Sequence, residues 1–201
     1  MARRNKHSLE EIKAMILDAA ETIITDQGYS ALTVRKIAMK IGYTVGSIYM
    51  IFDNMADLAD HIKIKTIGRL SGQLQHLSSN SPEQAIAALS RTYLKFACEN
   101  FNCWRMVFAG EAECPEWYRQ KMDIIHNLIA AQFAQLAPDK SAQQHQQAAR
   151  ALWSGVHGIC MLSLSEDLDA ATIDAAEKDV ILLVECFIGG WLINNTAKKI
   201  N

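Results

Sequence analysis

Apolar residues recur along this chain at helical spacing from Ser8 onward, and polar breaks cut the pattern into separate helices. Ser8 and Glu11 form the sequence of a capping box. The helix they open carries Leu9, Ile12, Ile16, Ala19 or Ala20, and Ile23 on one face and ends before Gly28. Next, Val34, Ile37, Ala38 and Ile41 fall at i, i+3, i+4 and i+7 behind Thr33, a natural N-cap. Gly42 suits the left-handed turn that closes a helix, and Thr44 can cap a second short helix over 45–51, with Ile48 and Phe52 as its core face. Two short helices joined by so tight a turn predict a helix-turn-helix.

The pattern then lengthens. Asn54 is placed to cap a helix carrying Leu58, Ile62, Ile64, Ile67, Leu70, Leu74 and Leu77, which ends in a turn at 78–82. Pro82 suits the first position of the following helix, whose apolar residues are Ile86, Leu89, Tyr93, Leu94, Phe96 and Ala97. Large soft residues crowd 101–118, where an aromatic-rich segment either seals a core or lines a cavity. Ile124, Ile125, Leu128, Ile129 and Phe133 mark a further helix, broken at Ala137-Pro138-Asp139. Helices over about 141–164 and 172–198 complete an all-α chain, with neither a repeat nor a low-complexity segment.

Composition narrows the class. The 201 residues are 50% apolar, enough to bury a real core, and the formal net charge is −2. Such a molecule has no strongly basic field, so contact with nucleic acid has to be local. The charged start lacks the apolar stretch of a secretory signal, and a cytoplasmic protein is expected. Residues 180–193 are interrupted by Glu185 and fall short of the ~20 residues that cross a bilayer, so no membrane partner is expected. The five cysteines form no Cys-x-x-Cys pair, and no two histidines or two cysteines sit one helical turn apart, which argues against a disulfide frame or a metal site. Cys103 near Arg105 is the one candidate for a redox-responsive thiol. No nucleophile elbow, phosphate loop or dinucleotide fingerprint occurs, so neither an enzyme nor a cofactor is expected.

Thr33, Ile37-Ala38, Gly42, Ser47-Ile48-Tyr49, Phe52, Asn54 and Leu58 together resemble the tetracycline-repressor (TetR) family over roughly the first third of the chain. Two departures stand out. Met55 occupies a place where that family usually has a phosphate-binding lysine, and Met50 and Ile51 replace residues that are commonly aromatic or histidine. Weaker phosphate anchoring follows. A second string, Trp153-x-x-x-His157-Gly158, resembles a C-terminal type found in some TetR-like regulators.

The resemblance implies a one-component, homodimeric transcription factor, most simply a repressor, that releases double-stranded operator DNA on binding a small effector. Its DNA-binding domain is expected at 1–53 and its ligand-binding and dimerisation domain at 54–201. DNA contact is expected from Arg35, Lys36, Thr44, Val45, Gly46, Ser47 and Tyr49. Tyr49 is assigned either to a phosphate or to packing, Ser47 and Thr44 to base edges, and Val45 either to a thymine methyl or to the core. Arg3, Arg4 and Lys6 form either a DNA-tracking arm or a solvated tail. An apolar effector is expected among Tyr93, Phe101, Trp104, Phe108, Trp117, His157 and Met161, unless those aromatics simply close the core. His157 reads either as a polar anchor or as a hydrogen-bonded core residue. Small residues on the penultimate helix and the apolar run of the last predict a four-helix dimer seam through Ala151, Gly155, Leu183, Phe187, Ile188 and Trp191. The alternative is a helical protein-interaction module whose helix-turn-helix has lost its DNA.

Overall fold

The computed structural model describes residues 7–108, 115–165 and 169–193, and all its regular structure there is helical. Arg3, Arg4, Lys6, Cys114 and the expected end of the last helix lie outside the described residues. The chain forms two compact units, Met1–Ile67 with Asn102–Gly110, and Gly68–Phe101 with Glu111–Asn201.

In the first unit, helix α1 (Leu9–Gln27) starts from a capping box in which the Ser8 hydroxyl accepts from Glu11 N–H and the Glu11 carboxylate accepts from Ser8 N–H. A short 3-10 turn, Tyr29–Ala31, leads to α2 (Val34–Ile41) and α3 (Val45–Tyr49). Ile12, Ile16, Ile23 and Ile24 of α1 meet Ile37, Ala38, Ile48 and Phe52 in one core. Leu58 and Ile62 of α4 (Met55–Gln75) join that core, as do Cys103 and Met106 of α6 (Phe101–Phe108). Lys65 adds a bridge from α4 to Asp18 (3.0 Å) and Glu21 (2.9 Å) of α1.

The compact units therefore divide differently from a cut at 53/54. The first half of α4 supplies core residues to the helix-turn-helix unit, and Cys103 and Met106, far along the chain, return to the same core. The pattern also misplaced three apolar residues. Ile64 is exposed because it lies two residues after Ile62 and so points away from the stripe of Leu58, Ile62, Ile67, Leu70 and Leu74. Leu77 is exposed because α4 stops at Gln75, and Leu9, in the first turn of α1, stays 62% exposed.

The second unit packs α5 (Pro82–Glu99), α7 (Glu116–Leu136), α8 (Ala142–Ser163) and α9 (Ala170–Ile193) against one another. Pro82 occupies the first turn of α5 behind the Ser81 cap, and Ser141 with Gln144 makes a second capping box at α8. Helices α8 and α9 approach closely at Gly155, where a Cβ would stand 2.7 Å from Leu183 Cδ2. Phe133 of α7 meets the rings of Phe187 (6.0 Å) and Trp191 (4.8 Å) of α9. Lys140 closes that end with its ammonium 3.6 Å from the Trp191 ring centroid, and it also donates to the Trp191 carbonyl.

Candidate nucleic-acid interface

The reading pair is held by local hydrogen bonds that follow from its sequence. Thr33 Oγ1 accepts from Lys36 N–H and fixes the start of α2. Gly42 ends that helix in the left-handed region (φ 72°, ψ 27°), which a side chain would disfavour. Two residues later Thr44 Oγ1 accepts from Ser47 N–H and starts α3, and the Thr44 and Ser47 hydroxyls lie 2.9 Å apart. Burial of Ile48 then decides which way α3 faces: Gly46, Tyr49 and Met50 are turned outward with Thr44. Val45 and Ser47 are half-buried, and Val45 packs against the core.

Cations flank the pair on α2. Arg35 and Lys40 are exposed, while Lys36 donates to Gln27 Oε1 at 2.8 Å. Met55 is half-buried against the core, which leaves no positive charge at that position. Met50 is 78% exposed, a residue that periodicity alone did not assign to any face.

Two family models match this chain. One, for bacterial regulatory proteins of the tetR family, covers residues 16–62, and the other, a tetracyclin repressor-like C-terminal domain, covers 86–182. The chain belongs to the TetR family. It is a transcriptional regulator with a DNA-binding helix-turn-helix, a family of regulators rather than of enzymes. This TetR-family chain is 24% identical over 187 residues to an uncharacterized HTH-type transcriptional regulator of Mycobacterium tuberculosis, covering 90% of this chain and 82% of that one. Over 58 residues it is 40% identical to the HTH-type transcriptional regulator TtgR of Pseudomonas putida, 29% of this chain and 28% of that one. Its fold matches a protein of unknown function from Rhodococcus sp. RHA1 with a TM-score of 0.73 at 20% identity, covering 94% and 98% of the two chains. It also matches FadR of Bacillus subtilis, solved in complex with stearoyl-CoA, with a TM-score of 0.63 at 17% identity over 85% and 97%.

The residues expected to hold an effector are divided between the units of this TetR-family protein. Trp104 and Phe108 belong to the first unit, their ring centroids 5.7 Å apart, and Trp104 is fully buried. Within the second unit Tyr93 is wholly buried, its Oη 2.6 Å from His157 Nδ1 and its ring 4.3 Å from that of Trp153. Tyr93 and Trp153 line a cavity of about 10 Å³ with Leu74, Leu89, Ser90, Ile125, Ile129, Leu152 and Val156. That volume admits about one water molecule. Outside it lies an open groove of about 520 Å³ between α7 and α8, lined by Met122, His126, Arg150, Trp153, His157 and neighbours. Trp153 is common to both linings. Phe101, Trp117 and Met161 line neither space. Burial lowers the proton affinity of His157, and of His126, where Asp123 partly opposes it.

Several of the residues expected at a dimer seam have partners within the chain. Leu183 fills the space over Gly155, Phe187 and Trp191 pack on Phe133, and Ile188 is buried. Only Ala151 of the six is exposed. The outward apolar residues of the same two helices are Met161 and Leu162 on α8, and Leu182 and Ile193 on α9, with Leu162 90% exposed. Among the described residues no group of metal-binding side chains is assembled, and no helix is long and apolar enough to cross a membrane. Cys103 is buried with its Sγ 3.7 Å from Thr25 Oγ1, and burial pushes the Cys160 thiol up to about 12.

Proposed function

We propose that this protein is a homodimeric repressor that holds a palindromic operator with two copies of α3 and releases it when a small apolar effector enters the second unit. The observation that carries the reading is the outward face of α3 (Gly46, Tyr49, Met50) set beside the α2 cations Arg35 and Lys40. In this reading Arg35, Lys36 and Tyr49 bind the backbone, Gly46 permits close approach, and Thr44, Val45 and Ser47 face or flank the bases. The dimer seam runs along Ala151 and Leu162 of α8 and Leu182, Cys186 and Ile193 of α9, which are exposed at helical spacing.

The effector site is the cavity beneath Trp153. Its described form is closed, so an effector has to displace the Trp153 ring and join the cavity to the groove outside. The aliphatic lining favours a chain or a flat apolar body, with Tyr93 and His157 for one polar atom. Ligand binding then favours one of two arrangements of the second unit. Helix α4 belongs in part to each unit, and its Leu58 and Ile62 join the core of the first, so it carries the change to α3.

The test is direct. Purified protein is titrated with DNA flanking its own gene at fixed salt, followed by footprinting and sedimentation. A protected palindrome bound by a dimer is expected. Aromatic and fatty-acyl compounds, stearoyl-CoA among them, are then screened for release of that duplex, by the wild type and by Trp153→Ala. Failure of every flanking duplex to bind would leave the helical interaction module as the better reading.

A further inference from the structure

The seven residues from Thr44 to Met50 include no Arg, Lys, Asn, Gln, Asp or Glu. Those are the side chains that read guanine, adenine or cytosine edges by strong or paired hydrogen bonds. The hydroxyls that remain are partly committed, since Thr44 Oγ1 caps α3 and lies 2.9 Å from Ser47 Oγ. Apart from the Tyr49 hydroxyl, what α3 and its C-cap residue Met50 offer outward is apolar. Gly46 presents bare backbone, Met50 one turn later on the same strip is 78% exposed, and Tyr49 beside it is 49% exposed. A long flexible thioether on the outer strip of a helix in the major groove meets one apolar feature there, the C5-methyl group of thymine.

We infer that this regulator selects its operator by thymine methyl groups, with Met50 as the residue that reads them. The inference rests on the reading that α3 enters the major groove, and it names the chemistry that the groove must supply. Gly46 lets the helix sit deep enough for Met50 to reach the base edge. Tyr49 flanks it toward the backbone. Discrimination is then by shape and burial of methyl groups, so half-sites contain thymine at fixed places opposite Met50.

The experiment selects duplexes from a random pool with the full-length protein, then replaces thymine by deoxyuridine one position at a time. This change removes the methyl group and keeps the base-pairing edge. At the position read by Met50 the wild type is expected to lose about fourfold in affinity per methyl group, the factor that corresponds to burying one carbon. The same replacement in the flanks should have no effect. Met50→Ala, at an exposed site that leaves the melting temperature unchanged, should bind thymine and uracil duplexes alike at that position, and Met50→Leu should restore the preference. Selected half-sites without thymine, equal binding of thymine and uracil duplexes by the wild type, or a full uracil penalty in Met50→Ala would each overturn the inference while leaving DNA binding intact. If no duplex is enriched at all, the groove reading itself fails and the inference falls with it.

Discussion

At the scale of single residues, the helix-turn-helix is set by side chains that spend their polar atoms on the backbone. Thr33 and Thr44 each satisfy an N–H that helix geometry leaves without a partner, and Gly42 takes a conformation that other residues resist. The cations do different work. Arg35 and Lys40 project from α2 with exposed side chains, and each phosphate neutralised releases counterions from the duplex. Replacing Arg35 by Ala should therefore weaken all duplexes alike and flatten the slope of log K against log salt by about 2 for a dimer. Fluorescence anisotropy at several salt concentrations measures that slope. An unchanged slope removes Arg35 from the backbone contacts.

At the scale of elements, α4 and α9 carry the most informative tests. Helix α4 contains Gly68 and Gly72, and neither site has an atom within 4 Å of an added Cβ, so packing does not require glycine there. Thr66 and Ser71 donate back to the Ile62 and Gly68 carbonyls, a bonding pattern that bends helices. All four lie next to the 67/68 boundary between the units. Gly68→Ala with Gly72→Ala should stabilise the protein by roughly 1 kcal/mol per site while weakening effector-induced release of DNA. Thermal melts and release titrations check the two effects separately. On α9, Leu182→Asp should split the dimer and leave the subunit folded, because Leu182 is 60% exposed. Ile188→Asp should unfold the second unit, because that side chain is buried and its carboxylate would gain no partner. Sedimentation and circular dichroism of the two variants separate an interface from a core.

At the scale of the whole molecule, stability should depend on pH through His157 and His126, both half-buried. Burial holds the His157 and His126 imidazoles below their ordinary value of 6.5, so the folded protein binds fewer protons there than the unfolded chain. Stability is therefore fully present above about pH 6.5 and is lost as pH falls through that value toward the lowered folded values. A melting temperature that drops between about pH 7.5 and about pH 5.5 is expected, with a smaller drop in His157→Gln and His126→Gln combined. The glutamine side chain at 157 can still share a hydrogen bond with the Tyr93 hydroxyl, as His157 does. An equal drop in the double variant assigns the acid sensitivity elsewhere.

Much of this protein was legible in the order of its residues. Caps, the left-handed glycine and the apolar period are local properties, written within a few residues of where they act, so the helices and the helix-turn-helix could be read from Ser8, Thr33, Gly42, Thr44 and Pro82 together with that period. Tertiary structure decided what period cannot express, namely which apolar surface is matched by another part of the same chain. Phe187, Ile188 and Trp191 look like surplus apolar residues until Phe133 is brought against the two rings and the rest of the unit buries Ile188. Tertiary structure also puts Trp104 in the first unit with α6, and it makes Trp153 a cavity wall by closing α5, α7 and α8 around Tyr93. Burial is a sum over partners distant in sequence, and no single window along the chain contains them.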